Sequence, residues 1–239
     1  MQFCIKLYYM AQTTTKASRS EFLSFLENEG RFRPDSLIEG AIEVAEEVHA
    51  GLVREDGKSL FLETHTWPVA MDVVAHYRAN NRNITGVEIA SAILHDVMED
   101  DERILNLYES KAYGFEAYLA YRFGTKVQEI ASDLKIKPLE LFPGETEDER
   151  KAARFWDYCS LLAKADYDVK VIKLADRLNN MAFIYSLPGH EKQKRYMREA
   201  EDFYLAYAMM EPSMPQFYAR LRRAYEALRS RQKQLATTV

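Results

Sequence analysis

The chain has 239 residues, 47% apolar, 29% charged and 12% aromatic, with 32 basic and 37 acidic side chains and a net charge of −5. Its nine glycines and seven prolines fall well under the roughly 12% of an average chain, which argues for helices and against a many-stranded β fold. The acidic balance excludes a general nucleic-acid binder, so an anionic ligand needs a local positive site such as a metal.

Cys4 and Cys159 form neither a disulfide framework nor a metal-type cysteine pair, which suits a reducing compartment. No apolar run near the start is long enough for a signal peptide or a membrane span. A cytoplasmic protein with neither nucleic acid nor membrane as partner is expected.

In chain order, 1–20 reads as a loose lead-in, and Ser20 caps a helix over 21–29. Asp35 opens a longer helix to 50, with Leu37, Ile38, Ala41, Ile42, Ala45 and Val48 at helical spacing, and Gly51 ends it. The turn pair Asp56-Gly57 marks the following loop, and 67–78 is helical with Val69, Val73 and Val74 inward. Thr85 and Glu88 make a capping box for a helix to about 98. Helices follow at 102–110, 115–122 and 125–134, then a loop over 137–150 with Pro138, Pro143-Gly144 and an acidic run, Glu145, Glu147, Asp148 and Glu149. Further helices are expected at 151–165, 168–185, 189–210 and 216–234. The fold class is therefore all-α: a single helical bundle, with a main domain over 21–210 and a C-terminal helix and short tail over 211–239 packed on it. In that last helix Arg220, Arg222, Arg223, Arg229, Arg231 and Lys233 surround a Leu221–Tyr225–Leu228 stripe and read as a solvated basic face.

Chemistry concentrates around His95. On a continuous helix His95, Asp96, Glu99 and Asp100 occupy one arc of roughly 140°, beside Ile89, Ala90, Ile93, Leu94 and Val97. Half-buried carboxylates so placed repel one another and lose solvation, a penalty that a divalent metal removes. The alternative is an acidic helix end facing water, which the helix macrodipole disfavours. Asp176 lies at the edge of the stripe Val169, Ile172, Ala175, Leu178 and Ala182, with Asn180 one turn on. It is either a surface partner of Lys173 or Arg177, which contributes little, or a ligand if it meets His95. His65, at a helix start, is on its own a satisfied polar residue, and His49, His76 and His190 are read as structural.

Four blocks together resemble the HD-domain phosphohydrolases, and within them the hydrolase domain of the RelA/SpoT family, which degrades the alarmones (p)ppGpp. They are 45–57, His65 with Val69-Ala70, Ala92-Ile93-Leu94-His95-Asp96-Val97-Met98-Glu99-Asp100, and Lys173-Leu174-Ala175-Asp176-Arg177-Leu178-Asn179-Asn180-Met181. Phe123-Gly124-Thr125-Lys126-Val127 is similar to a further family segment. The resemblance covers roughly 37–186 and implies an HD-domain bundle with a metal site between its helices. It assigns His65, His95, Asp96 and Asp176 to one divalent metal per chain, usually Mn²⁺. Glu99 and Asp100 match the pair that positions and activates the attacking water, Arg54 the arginine packing against the base, and Asn180 a nucleotide contact.

Three departures concern base and phosphate recognition rather than the metal. Arg54 and His65 lie about two residues further apart than in the family, Trp67 follows close on His65 where a proline normally stands directly after it, and Glu55 replaces a usual lysine. The resemblance carries no synthetase, TGS or ACT region, so a small stand-alone alarmone hydrolase is expected, acting on a small-molecule nucleotide to release GDP or GTP and pyrophosphate. The alternatives are an HD phosphatase acting on an adenine alarmone or NADPH, and a non-catalytic alarmone-binding or antitoxin module. The apolar final helices are compatible with a homodimer.

Overall fold

The structure is a computed structural model that describes residues 16–30, 32–99, 114–187 and 189–237. The expected helix at 102–110 and the N-terminal lead-in as far as residue 15 lie outside the described residues. The fold is all-α, and among the described residues the only strand-like pairing is one antiparallel bridge between Val53 and Leu60.

Local chemistry sets the first helices. Ser18, not Ser20, caps α1 (Arg19–Asn28), because Glu21 three residues on reaches back to close the box. Asp35 caps α2 (Ser36–Val48), its Oδ1 accepting from the Leu37 and Ile38 amides at 3.1 Å each. A π turn (Leu62–Thr66) runs into α3 (Trp67–Ala79). The Thr85–Glu88 box opens α4 (Gly86–Ile93).

That helix ends at Ile93 rather than near 98. His95 and Asp96 lie in a turn, and Val97–Glu99 is a 3₁₀ turn. The single-helix arc of His95, Asp96 and Glu99 therefore does not exist. The reason is visible at the helix end, where His95 Nδ1 donates to the carbonyl of Ala92 at 2.8 Å. That carbonyl belongs to the last turn, whose acceptors have no intrahelical donor, and continued helix would set Asp96 and Glu99 against the negative end of the dipole.

After the undescribed stretch come α5 (Gly114–Phe123) and α6 (Thr125–Leu134). The acidic run is not a loop: Thr146 and Glu149 form a capping box, so Glu147, Asp148 and Glu149 are the first turn of α7 (Glu147–Lys164), where negative charge suits the dipole. Next are α8 (Tyr167–Tyr185), α9 (Lys192–Glu199), a π turn (Ala200–Tyr204), α10 (Leu205–Met210) and α11 (Pro215–Thr237).

The buried axis of the bundle is α8, packed on α3, α6, α9 and α11, while α4 rests on α2, α3 and α6. From Val171 to Asn179 every residue of α8 is buried, including Lys173, Asp176, Arg177 and Asn179. Polar groups so placed persist only when paired. One such pair corrects the reading of the last helix: Arg220 does not face solvent but is buried, bonded through Nη2 to both Asp72 oxygens at 2.9 and 2.8 Å.

His76 is fully buried, with Nε2 2.8 Å from the Tyr167 hydroxyl and its ring 4.7 Å from that of Phe217. Burial first, then the nearby Arg82 and Arg220, pushes its pKa down to about 3. The unfolded chain therefore takes up this proton before the folded one does. Stability from this group is complete above pH 6.5 and falls by about 1.4 kcal/mol per pH unit as the pH drops towards about 3. Denaturant midpoints measured across that window should fall less steeply in His76→Gln than in wild type, and parallel slopes would contradict this assignment.

Candidate metal centre

Four side chains from three parts of the fold meet at the base of a cleft. His65 comes from the π turn ahead of α3, His95 and Asp96 from the turn that ends α4, and Asp176 from the middle of α8. His65 Nε2 lies 3.1 Å from His95 Nε2, 2.8 Å from Asp96 Oδ2 and 3.6 Å from Asp176 Oδ1, and His95 Nε2 lies 3.1 Å from Asp96 Oδ2. π turns inside helices are frequent at functional sites because the extra residue re-aims a side chain; here that side chain is His65.

The outer hydrogen bonds fix which ring nitrogens carry protons. His95 Nδ1 faces a carbonyl, so it must donate. His65 Nδ1 lies 2.8 Å from Asn179 Oδ1, and Arg54 Nη1 donates to the same oxygen at 2.8 Å, which identifies it as the acceptor. In the neutral imidazoles both Nε2 atoms are then lone pairs, aimed at each other and at two carboxylate oxygens. Such a set is repulsive unless a cation or proton sits in it. Burial opposes charging His95, yet Asp96 beside it pushes its pKa up to about 9, so in the absence of an ion a proton takes the place. Two imidazoles and two carboxylates are donors suited to a divalent cation, and four protein ligands leave coordination positions for water and substrate.

A second ring of hydrogen bonds holds these four side chains. Arg54 Nη1 also donates to the Thr64 carbonyl at 3.2 Å, and Nη2 donates to Asn180 Oδ1 at 2.6 Å. Asn180 Nδ2 in turn donates to Asp176 Oδ1. Lys173 Nζ lies 2.8 Å from Asp176 Oδ2. This Lys173–Asp176 pair is buried beside the cluster, so the reading of Asp176 as a surface partner is corrected. Arg54 is positioned by the loop between Val53 and Leu60, in which Gly57 adopts φ +70° and Asp56 Oδ1 accepts from the amides of Lys58 and Ser59. Its guanidinium packs 3.9 Å over the Phe183 ring.

The cleft has a volume of about 670 Å³, within the range of small-molecule sites. Phe61, Phe155 and Tyr158 supply aromatic wall, while Lys151 and Arg154 on α7 and Lys192 and Arg195 on α9 add positive charge to a chain that is acidic as a whole. Glu99 lines this cleft with its side chain exposed, and partial desolvation by the surrounding protein, with repulsion from Asp96 next, pushes its carboxyl up to about 7. Asp100 lies outside the described residues.

A family model described as HD domain matches residues 41–209. The chain belongs to the HD-domain family. Among curated proteins, this HD-domain chain is 30% identical over 173 residues to a probable guanosine-3′,5′-bis(diphosphate) 3′-pyrophosphohydrolase of Synechocystis, covering 72% of this chain and 20% of that protein. It is 29% identical over 177 residues to a probable chloroplastic GTP diphosphokinase of Arabidopsis thaliana, covering 72% and 22%. A guanosine-3′,5′-bis(diphosphate) 3′-pyrophosphohydrolase of Haemophilus influenzae is 27% identical over 162 residues, covering 67% and 20%. The chain thus spans about a fifth of the length of the curated relatives it matches.

Within the HD domain the structure brings together His65, His95, Asp96 and Asp176, with Glu99, Arg54 and Asn180 around them. Sequence reasoning missed Lys173, Asn179 and Phe61 as parts of the site. Asn179 sits three residues after Asp176 on α8, a spacing that puts both on one face. His49, read as structural, lines the cleft, with its ring 4.9 Å from Phe61, itself 4.8 Å from His65. No described helix is long and apolar enough to cross a membrane.

Proposed function

We propose that this HD-domain protein is a divalent-metal-dependent pyrophosphohydrolase that removes the 3′-pyrophosphate from guanosine 3′,5′-bis(diphosphate) and its 5′-triphosphate analogue. The products are pyrophosphate with GDP or GTP. The observation that carries the reading is the convergence of two imidazole Nε2 atoms and two carboxylates at a cation-rimmed cleft, with Glu99 beside them. Two of the relatives bear the name of this activity. The third is named for a diphosphokinase, but a water-activating carboxylate beside the metal donors favours hydrolysis.

His65, His95, Asp96 and Asp176 would hold the ion, with Mn²⁺ the expected metal. A divalent cation there supplies Lewis acidity towards a phosphoryl oxygen and lowers the pKa of water. Glu99, with Asp100 next to it in the chain, takes the proton of the attacking water. The new P–O bond forms at the phosphorus carried on the 3′ oxygen as the bond to that oxygen breaks, so the water oxygen ends in the pyrophosphate. Asn180 and Arg54 line the cleft beside the cluster; Asn180 contacts the nucleotide and Arg54 supports the base. Lys173 keeps Asp176 Oδ2 engaged, so the ion would share Oδ1 with the Asn180 amide that donates to it. The setting proposed is the cytoplasm.

The test is hydrolysis in ¹⁸O-water with Mn²⁺. Label recovered in pyrophosphate supports attack at phosphorus; label in the nucleoside product contradicts it.

A further inference from the structure

We propose that Glu55 and Lys192 form a specificity-determining pair, in which Glu55 cancels the Lys192 charge so that this wall of the cleft turns away additional phosphate. The inference rests on the nucleotide-hydrolase reading. Lys192 is the first residue of α9, and Glu55 follows Arg54 in the loop after α2; both line the cleft. Lys192 Nζ meets Glu55 Oε1 at 2.6 Å, across 137 positions of sequence, with the two side chains 32% and 18% exposed. The other Glu55 oxygen lies 3.5 Å from Arg54 Nε. Burial alone would raise the Glu55 carboxyl, but the hydrogen bond from Lys192, with Arg54 also contributing, outweighs it and holds the group at about 2. Glu55 is therefore a fixed negative charge on the wall of the cleft that also carries Lys192 and Arg195.

The neighbouring cations of this wall are matched in the same way. Glu199 faces Arg177 at 2.6 Å and Arg195 at 3.7 Å. On the α7 wall Arg154 has no carboxylate in contact among the described residues, and Lys151 meets only Glu147 on its own helix. The charge asymmetry sends the multiply charged part of a ligand towards α7 and leaves the α9 wall for less charged parts. Glu55 sets that asymmetry, because its removal leaves an uncompensated ammonium facing the cleft.

The test uses the full chain with Mn²⁺ and inorganic pyrophosphate as the calorimetric probe. Glu55→Gln should tighten pyrophosphate binding about fivefold or more, as expected for one uncompensated charge at contact range in a partly shielded site. Lys192→Met, which leaves Glu55 with only Arg54 beside it, should weaken it, and the double variant should return towards wild type. In steady-state assays the effect of Glu55→Gln should fall on KM rather than kcat, and be larger for the five-phosphate than for the four-phosphate guanosine substrate. Equal or weaker pyrophosphate binding by Glu55→Gln overturns the proposal, as does absence of binding by all four proteins. Failure of wild type to hydrolyse either nucleotide would instead count against the functional reading, while the titration still decides the role of the pair.

Discussion

Asp176→Asn is expected to lose bound metal and turnover together. Asp176 Oδ1 faces His65, and its Oδ2 is held by Lys173, so the carboxylate presents one oxygen to the cluster and spends the other on a buried ammonium. Loss of an outer-shell partner alone typically costs 10- to 100-fold in metal affinity or activity, so removing a ligand charge should cost more than about 100-fold in Mn²⁺ affinity. The substitution also leaves Lys173 buried without its counter-charge, a situation that costs about 3–5 kcal/mol. A drop in activity could then reflect unfolding. The double variant Lys173→Met/Asp176→Asn removes that complication, since no unpaired charge is left in the interior. It should fold and still fail to take up Mn²⁺ by calorimetric titration. Wild-type affinity or full rate in either variant would refute the ligand assignment.

Glu99→Gln should behave in the opposite way. Glu99 is not among the clustered donors and is open to the cleft, so Mn²⁺ affinity should stay within a few-fold of wild type. A positioned general base contributes typically 10²–10⁴ in rate, and turnover at saturating Mn²⁺ should fall by about that factor. A base must be ionised to act. Crowding by the surrounding protein, and then repulsion from Asp96, push Glu99 up to about 7 although its side chain is exposed to the cleft, and a bound cation lowers this by favouring the charged form. Activity should therefore rise with pH along a limb at or below about 7, and that limb should be missing from the residual rate of Glu99→Gln. Loss of the metal in this variant would show that Glu99 is a ligand; an unchanged rate would show that the base lies elsewhere.

Much of the helical framework could be read from short-range chemistry. Asp35, and Thr85 with Glu88, announce their helices because a cap is satisfied within three residues. The same signal stood at Thr146 and Glu149, but the prolines before it and the acidic run that contains it obscured the start of α7. Periodicity misled at the end of α4: a 3.6-residue pattern continues through His95 and Asp96, whereas the backbone stops because the His95 imidazole caps the Ala92 carbonyl. Burial of Arg220 could not be read locally at all, since its partner Asp72 lies 148 residues away. The proposed metal donors divide along the same line. The residue types were visible in the blocks around 65, 95 and 176, but only folding shows that Asn179 orients His65 and that Lys173 faces inward onto Asp176.

The central claim is that this cleft releases the 3′-pyrophosphate of a guanosine nucleotide with the help of a metal. Its most direct test is a product assay of the full chain with guanosine 3′,5′-bis(diphosphate) and excess Mn²⁺, resolving GDP, pyrophosphate and free phosphate. The account predicts GDP and pyrophosphate in equal amounts, abolished by a chelator and restored by Mn²⁺. Release of free phosphate without pyrophosphate, or turnover that survives the chelator, would contradict it.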